Sequence, residues 1–134
     1  MTENRIFSGK GDLVAAIFRI TDAGEGVNFL SDPDDPLQLA VSTYEAGTSV
    51  QNHIHNRREI SIDRIQEIVH IDSGKAEIDL FDDEKEFITT ERLASGDTIF
   101  FISGGHGIRF EDKTTIIEVK QGPYKGKEID KSLF

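Results

Sequence analysis

The sequence predicts an all-β protein built as a sandwich or a barrel of short strands. Seven segments are short and rich in β-branched or aromatic residues; they read LQLAVSTYE, IVHIDSG, KAEIDLF, EFITTERL, DTIFFIS, HGIRFE and TTIIEVK. Clusters of Gly, Asp and Pro separate these segments, at the points where the chain must reverse. Many short strands at this spacing are typical of sandwiches and barrels.

Two further segments flank this series. A strand or a short helix is compatible with GDLVAAIFRIT, from Gly11 to Thr21, and we favour a strand. An extended arm is predicted for the C-terminal YKGKEIDKSLF, which would pack through Leu133 and Phe134 on the body or on a partner subunit. The 134 residues contain no internal repeat and no linker, so we expect one domain over residues 1–134.

Charge and composition narrow the classes of partner. The chain carries 15 basic and 25 acidic residues, a formal charge of −10, so we expect no nucleic-acid partner and no membrane partner. It has no apolar run of about 18 residues, and its start MTENRIFSGKGD lacks the order of a signal peptide, so a cytoplasmic location is expected. Cysteine is absent, so any metal ion must be bound by nitrogen and oxygen ligands.

The segment GTSVQNHIHNRREISIDRIQE contains the first candidate ligands, His53 and His55. On a strand, residues two apart point to the same face, so these imidazoles would project together and Ile54 would project to the other side. Two imidazoles suit a divalent transition metal and leave positions for a carboxylate and a third histidine, for which Glu67 and His106 are the candidates. The alternative is that the histidines are polar positions on a half-exposed strand.

The order of residues around this pair resembles the first motif of the cupin superfamily, with Gly47, His53, His55, Glu67 and Gly74 in series. The second cupin motif, which ends in a third histidine, is resembled by GDTIFFISGGHGIRF, residues 96–110. The resemblance implies a double-stranded β-helix, a small jelly-roll barrel.

The resemblance also implies a mononuclear metal site, whose ligands would be His53, His55, Glu67 and His106. Iron, manganese, nickel, cobalt and zinc all suit such nitrogen and oxygen ligands.

The carboxylate ligand has two candidates. Eleven residues separate His55 from Glu67, more than the family's usual spacing, whereas Glu59 lies at the usual distance. We favour Glu67, because IVHIDSG then reaches Gly74 with the strand character and spacing of the family. The segment NRREISIDRI is then an insertion at the mouth of the barrel.

Strand parity separates the fourth histidine from the site. Along EIVHIDS, Glu67, Val69 and Ile71 share one face and His70 lies on the other. We therefore expect His70 on the outer face or at a subunit contact, not among the ligands. Gln66 has the same parity as His70 and is at best a neighbour of the site.

Charged side chains near the proposed site have two interpretations each. The arginines at 57, 58 and 64 could attract an anionic substrate, or they could be solvated or paired with nearby acids. Glu118 and Lys120 share one face of the last strand; facing inward they would be acid and base candidates, and facing outward a surface ion pair.

Three functions fit these patterns. The first is a metal-dependent cupin enzyme, an isomerase or a dioxygenase, whose metal polarises a small polar substrate or binds dioxygen. The segments SGGHG and EVKQGPY resemble those of small stand-alone bacterial cupins linked to cell-surface sugar metabolism, which implies a sugar or sugar-nucleotide substrate. The second is a non-catalytic ligand-binding or sensor module, and the third a metal-free sugar isomerase or epimerase. A homodimer is expected.

Overall fold

Ten strands and one short helix make up the part of the chain that the computed structural model describes, residues 5–19 and 24–134. The strands are β1 (Arg5–Phe7), β2 (Leu13–Arg19), β3 (Gly26–Phe29), β4 (Ala40–Thr43), β5 (Glu67–Ser73), β6 (Lys75–Phe81), β7 (Phe87–Ala94), β8 (Asp97–Phe101), β9 (Gly105–Phe110) and β10 (Thr115–Lys120). The helix is α1 (Lys127–Asp130). The predicted all-β class is confirmed.

The strands form antiparallel sheets. A five-stranded sheet has the order β1-β2-β8-β5-β10, a three-stranded sheet the order β7-β6-β9, and β3 pairs with β4 alone. From β5 onward the chain moves between the two larger sheets, because β5, β8 and β10 lie in one sheet while β6, β7 and β9 lie in the other. This arrangement is compatible with a jelly roll.

The core follows from alternation along the strands. In β6, the residues Ala76, Ile78 and Leu80 are buried, and the residues between them are partly exposed. They join one apolar cluster with Val14, Ala15, Ile17, Val69, Ile71, Leu93, Ile99 and Phe101. Burial of each larger apolar side chain contributes about 1.5–3 kcal/mol.

A second buried layer lies on the other face of the five-stranded sheet. Ile68 on β5 is paired in register with Phe100 on β8, and both side chains are buried. Phe18 and Leu30 are also buried outside the main cluster. The centre of this sheet is therefore apolar and covered on both faces.

Two turns need glycine for reasons of space. Gly74, between β5 and β6, has φ 96°, and a Cβ there would lie 2.7 Å from the carbonyl oxygen of Lys113. Gly104, between β8 and β9, has φ 71°, and a Cβ there would collide with the carbonyl oxygen of Phe81. These two turns fix where β6 and β9 begin.

Most predicted segments contain a strand. Each of the seven segments holds one, and the ambiguous segment forms β2, whose predicted extension to Ile20 and Thr21 falls outside the described residues. The first four residues, MTEN, which belong to the start of the chain examined for a signal peptide, also lie outside them. The short strands β1 and β3 were not predicted. Within the described residues, no helix is long and apolar enough to cross a membrane.

The C-terminal arm packs on the body of the protein, which is one of the two roles predicted for it; the other was packing on a partner subunit. The Phe134 ring lies 5.0 Å from the Phe81 ring, centroid to centroid, and nearly perpendicular to it. The arm is not wholly extended, because α1 forms within it, and Leu133 is exposed.

Candidate functional site

Glu67 and His106 are in contact between the two larger sheets. Nε2 of His106 lies 3.3 Å from Oε2 of Glu67, and the two side chains are 29% and 13% exposed. Glu67 is the first residue of β5, in the five-stranded sheet, and His106 belongs to β9, in the three-stranded sheet. Two of the four predicted metal ligands are therefore brought together from different sheets.

The position of the His106 ring is fixed by an aromatic neighbour. Phe101 on β8 is the register partner of Glu67, and its ring stacks on the imidazole with 3.7 Å between centroids and 11° between planes. Within the three-stranded sheet, His106 is paired with Leu80 on β6, which is fully buried. The stack and the strand register together aim the imidazole at the carboxylate.

Lys120 lies on the other side of Glu67. It is the register partner of Glu67 on β10, so Lys120, Glu67 and Phe101 form a row across three strands. Its Nζ is 2.8 Å from Oδ2 of Asp130 in α1, and 5.4 Å from the centroid of the Tyr124 ring. Of the two interpretations of Lys120, the inward-facing one holds, because Lys120 belongs to the surroundings of Glu67. Its ion-pair partner is Asp130.

The carboxyl group of Glu67 is held in its charged form. The polar contact with His106 lowers its pKa, burial acts in the opposite direction, and the electrostatic influence of His106 and Lys120 and a contact with Glu118 lower it further. The pKa of Lys120 is raised, chiefly by its hydrogen bond to Asp130. At neutral pH the site therefore contains a carboxylate, an imidazole and an ammonium group, which can bind a polar or charged ligand.

His53 and His55 lie elsewhere. Residues 44–65, which we call the exposed segment, form no strand or helix, and every residue in it is exposed. The prediction that the two histidines occupy a strand is therefore wrong for this structure, because no strand among the described residues pairs with their backbone. Their rings contact each other at 5.3 Å between centroids, and Nδ1 of His53 lies 2.9 Å from the carbonyl oxygen of Gln51.

The four predicted ligands thus form two separate pairs. Within residues 5–19 and 24–134, no three side chains of His, Cys, Asp or Glu come together closely enough to hold a metal ion. One copy of the chain, folded in this way, presents half of the predicted ligand set at the sheets and half on the exposed segment. Glu59, the rival carboxylate, lies on the exposed segment with the histidine pair.

The three arginines separate into two groups. Arg64 makes two hydrogen bonds with the carboxylate of Asp83, at 2.9 and 3.0 Å, so the interpretation as an ion pair with a nearby acid holds for it. Arg57 and Arg58 line an open concavity with His55, Asn56 and Ile60. That concavity comes from one short stretch of chain and contains neither Glu67 nor His106, so we do not take it as the site.

Gln66 and His70 lie beside the site without joining it. Gln66 is buried; its Oε1 accepts a hydrogen bond from the main-chain N–H of Leu37 at 3.3 Å, and its Nε2 donates to Asp35 at 3.2 Å. His70 is paired with Thr98, with 2.8 Å between Nδ1 and Oγ1. Gln66 therefore binds the loop that contains Asp35 and Leu37 to the start of β5. The His70 ring makes its polar contact with Thr98 on the neighbouring strand β8.

Sequence reasoning missed two residues of the site. Phe101 shares strand parity with Ile99, a pattern that is a signal for a core position, but only the folded structure reveals that the Phe101 ring stacks on His106. Asp130 lies in the tail, where no sequence signal connects it with Lys120.

Fold and site together define the class of the molecule, an all-β protein of antiparallel sheets with a carboxylate–imidazole pair between them. No protein-family model, no curated protein and no solved structure matches the chain.

Proposed function

We propose that the chain is a double-stranded β-helix of the cupin type that binds a small polar metabolite at the Glu67–His106 pair. The observation that carries this proposal is the 3.3 Å contact between these two side chains. They come from the two sequence motifs that resemble cupin motifs, and from different sheets. A carboxylate and an imidazole that meet between two sheets offer a convergent set of polar groups, as small-molecule sites do.

The cofactor that we propose is a divalent transition metal held by His53, His55, Glu67 and His106. The donor types fit, because imidazole nitrogen and ionised carboxylate oxygen are ligands for iron, manganese, nickel, cobalt and zinc. The arrangement in a single copy does not fit, since only Glu67 and His106 are in contact and the histidine pair stays on the exposed segment. The complete set of four ligands therefore requires the exposed segment to reach a Glu67–His106 pair.

The substrate class that we propose is a small anionic metabolite, such as a sugar nucleotide or a keto acid. The chain has a net charge of −10, yet Lys120 lies beside Glu67, and Arg57 and Arg58 are exposed on the segment that carries the histidines. Lys120 is a basic group beside the site in an acidic protein, and Arg57 and Arg58 would join it if the exposed segment reached the site, which would favour an anion there.

A second function, a metal-free sugar isomerase or epimerase, is favoured by the direct contact of Glu67 with His106. A carboxylate beside an imidazole orients the ring, and imidazole is the side chain that most often serves as a general acid or base, so His106 is the candidate base of this function. This function needs neither His53 nor His55, which is what distinguishes it from the metal-dependent one. A non-catalytic sensor would bind the same ligands without turnover.

Metal analysis and turnover separate these functions. The wild-type protein, expressed with added transition metals, should bind roughly one ion per chain, and the variants His53→Ala, His55→Ala and His106→Ala should each bind much less. His70→Ala, whose ring is held by Thr98, serves as the control and should keep the metal. Sugar nucleotides and keto acids are then screened by thermal shift and tested for turnover with and without a chelator.

The outcomes point in different directions. Turnover that survives the chelator and His53→Ala but is lost in His106→Ala would favour the metal-free isomerase. Binding without turnover under any metal would favour the sensor. A wild-type protein that neither retains metal nor shifts its melting temperature with any ligand would remove the proposal.

A further inference from the structure

The Glu67–His106 pair lies at one end of the two larger sheets. Glu67 is the first residue of β5, and its register partners Phe101 and Lys120 are the last residues of β8 and β10. In the three-stranded sheet, His106 is the second residue of β9. The pair is therefore surrounded by strand ends, and a segment that crosses this end of the sheets passes over the site.

The C-terminal arm contacts both sheets at this end. Asp130 in α1 accepts a hydrogen bond from Nζ of Lys120, in the five-stranded sheet, at 2.8 Å. The Phe134 ring lies against Phe81 and Gly105, the last residue of β6 and the first of β9, in the three-stranded sheet. Asp130 and Phe134 are separated by at most about 14 Å of chain. The arm therefore crosses from one sheet to the other between these two residues.

Gly105 leaves room for the Phe134 ring. A Cβ at Gly105 would lie 2.8 Å from Cζ and 3.0 Å from Cε1 of that ring, closer than carbon atoms pack. The φ angle of Gly105 is not positive, so its backbone conformation is open to other residues. An alanine at this position would thus disturb the seat of the ring and leave the turn itself unstrained.

The two contacts of the arm are weak enough to open. Phe134 is 63% exposed, and the side chains of Lys120 and Asp130 are 26% and 13% exposed. The helix α1 has four residues, none of them buried, and one turn of helix is not stable by itself. Segments held by few buried contacts open at the lowest cost in free energy. The arm can therefore detach while the sheets stay folded.

We propose that the C-terminal arm is a strap that restricts access to the Glu67–His106 site. Phe134 is its latch on Gly105, and Asp130 is its anchor on Lys120. When the strap is closed, the Asp130 carboxylate occupies the ammonium group that an anionic ligand would use. When it opens, Lys120 is released and His106 is uncovered together. The closure rests on these contacts alone, and the admission of a ligand rests on the proposed function.

Chemical modification of histidines measures the closure without any ligand. Diethyl pyrocarbonate acylates accessible imidazoles, and peptide mapping by mass spectrometry gives a separate rate for each histidine. His53 lies on the exposed segment and is the reference within every chain. In the wild-type protein, His106 should react several-fold more slowly than His53.

Two substitutions should release the latch from opposite sides. Gly105→Ala places a methyl group where the ring of Phe134 lies, and Phe134→Ala removes the ring. Both should accelerate the modification of His106 several-fold and leave that of His53 unchanged. Gly107→Ala, two residues along the same strand, is the matched control, because its Cβ would meet no atom within 4 Å among the described residues.

A third substitution tests the anchor. Asp130→Asn keeps the shape of the side chain but removes the charge that holds Lys120, so it should also accelerate the modification of His106. Glu128→Gln removes a charge from the same helix and should not.

The strap is overturned if His106 reacts as fast as His53 in the wild-type protein. It is also overturned if neither Gly105→Ala nor Phe134→Ala accelerates the modification of His106, or if Gly107→Ala accelerates it equally. Phe134→Ala alone decides the question if Gly105→Ala does not fold. Faster modification of His106 in a protein that binds no sugar nucleotide or keto acid, opened or closed, would support the strap and overturn the proposed function.

Discussion

Arg64 clamps the end of the exposed segment to Asp83, in the turn between β6 and β7. The guanidinium makes two hydrogen bonds to this carboxylate, which also accepts a hydrogen bond from the main-chain N–H of Gly104 at 3.0 Å. The same contacts lower the pKa of Asp83, first through Arg64. One carboxylate therefore connects the exposed segment, the β6–β7 turn and the β8–β9 turn.

Removal of this clamp should loosen the segment more than it destabilises the fold. Both side chains are about half exposed, so Asp83→Ala should lower the free energy of unfolding by only about 0.5 kcal/mol in urea titrations. Trypsin cleavage at Arg57 and Arg58 should become several-fold faster. Asp34→Ala, at another exposed acid, is the control; equal cleavage rates in both variants would mean that the clamp does not restrain the segment.

Phe101 should control the orientation of the His106 ring. Phe101→Leu removes the stacked ring and should cost about 1–2 kcal/mol of stability, part of it from the aromatic contact. Phe100→Leu is the matched control, because Phe100 is equally buried but faces the other side of the sheet. In NMR spectra, the upfield ring-current shift of the His106 ring protons should disappear in the first variant and persist in the second.

Glu67 should give the stability a pH dependence in acid. Its pKa is lowered in the folded state, so its charged form contributes stability that is present above its ordinary value of 4.5 and is lost as the pH falls through the folded value. Glu67→Gln should cost about 1 kcal/mol at pH 7, and this cost should shrink as the pH falls below 4.5.

Denaturant titrations of the metal-free protein at several pH values measure this difference. The exposed Glu45→Gln should show no such trend. A cost for Glu67→Gln that is the same at pH 7 and at pH 3 would show that its charge does not matter for folding.

The Lys120–Asp130 ion pair should give the stability of the fold a pH dependence in the alkaline range. The pKa of Lys120 is raised above 10.5, so its ammonium contributes stability throughout the neutral range that is lost as the pH rises through the raised value. Asp130→Asn should cost about 1 kcal/mol between pH 6 and pH 9 and progressively less above pH 10.5. Thermal denaturation followed by circular dichroism measures this, with the exposed Glu128→Gln on the same helix as control.

Local patterns in the sequence predicted the strands well where one face is buried. The segment KAEIDLF became β6 with its bounds unchanged, because alternation of apolar and polar residues is a property of the segment itself. The pairing of Glu67 with His106 was foreseen as a shared site, but not that Phe101 and Asp130 support it. Those contacts join the two sheets and join β10 to the C-terminal helix, so they depend on tertiary packing, which no single segment encodes.

The histidine pair shows what local sequence patterns cannot predict, namely whether a segment has a neighbouring strand. A strand exists only when a neighbour accepts its backbone hydrogen bonds, and the alternation around His53 and His55 does not reveal whether a neighbour is present. The structure gives this stretch no partner within the described residues. The same side chains therefore read as a strand in the sequence and as an exposed segment in the structure.

The apolar layers on both faces of the five-stranded sheet also set how the molecule opens. Backbone amides of Ile68 and Phe100 lie on central strands with cover on either side, so they should be the last to exchange with deuterium, whereas those of the exposed segment should exchange at once. Glu67 and Phe101 directly adjoin these slow residues. Fluctuations that open the edge strands therefore leave the Glu67 carboxylate and the Phe101 ring in place. The edges of the sheets can open and close repeatedly while the central strands stay folded.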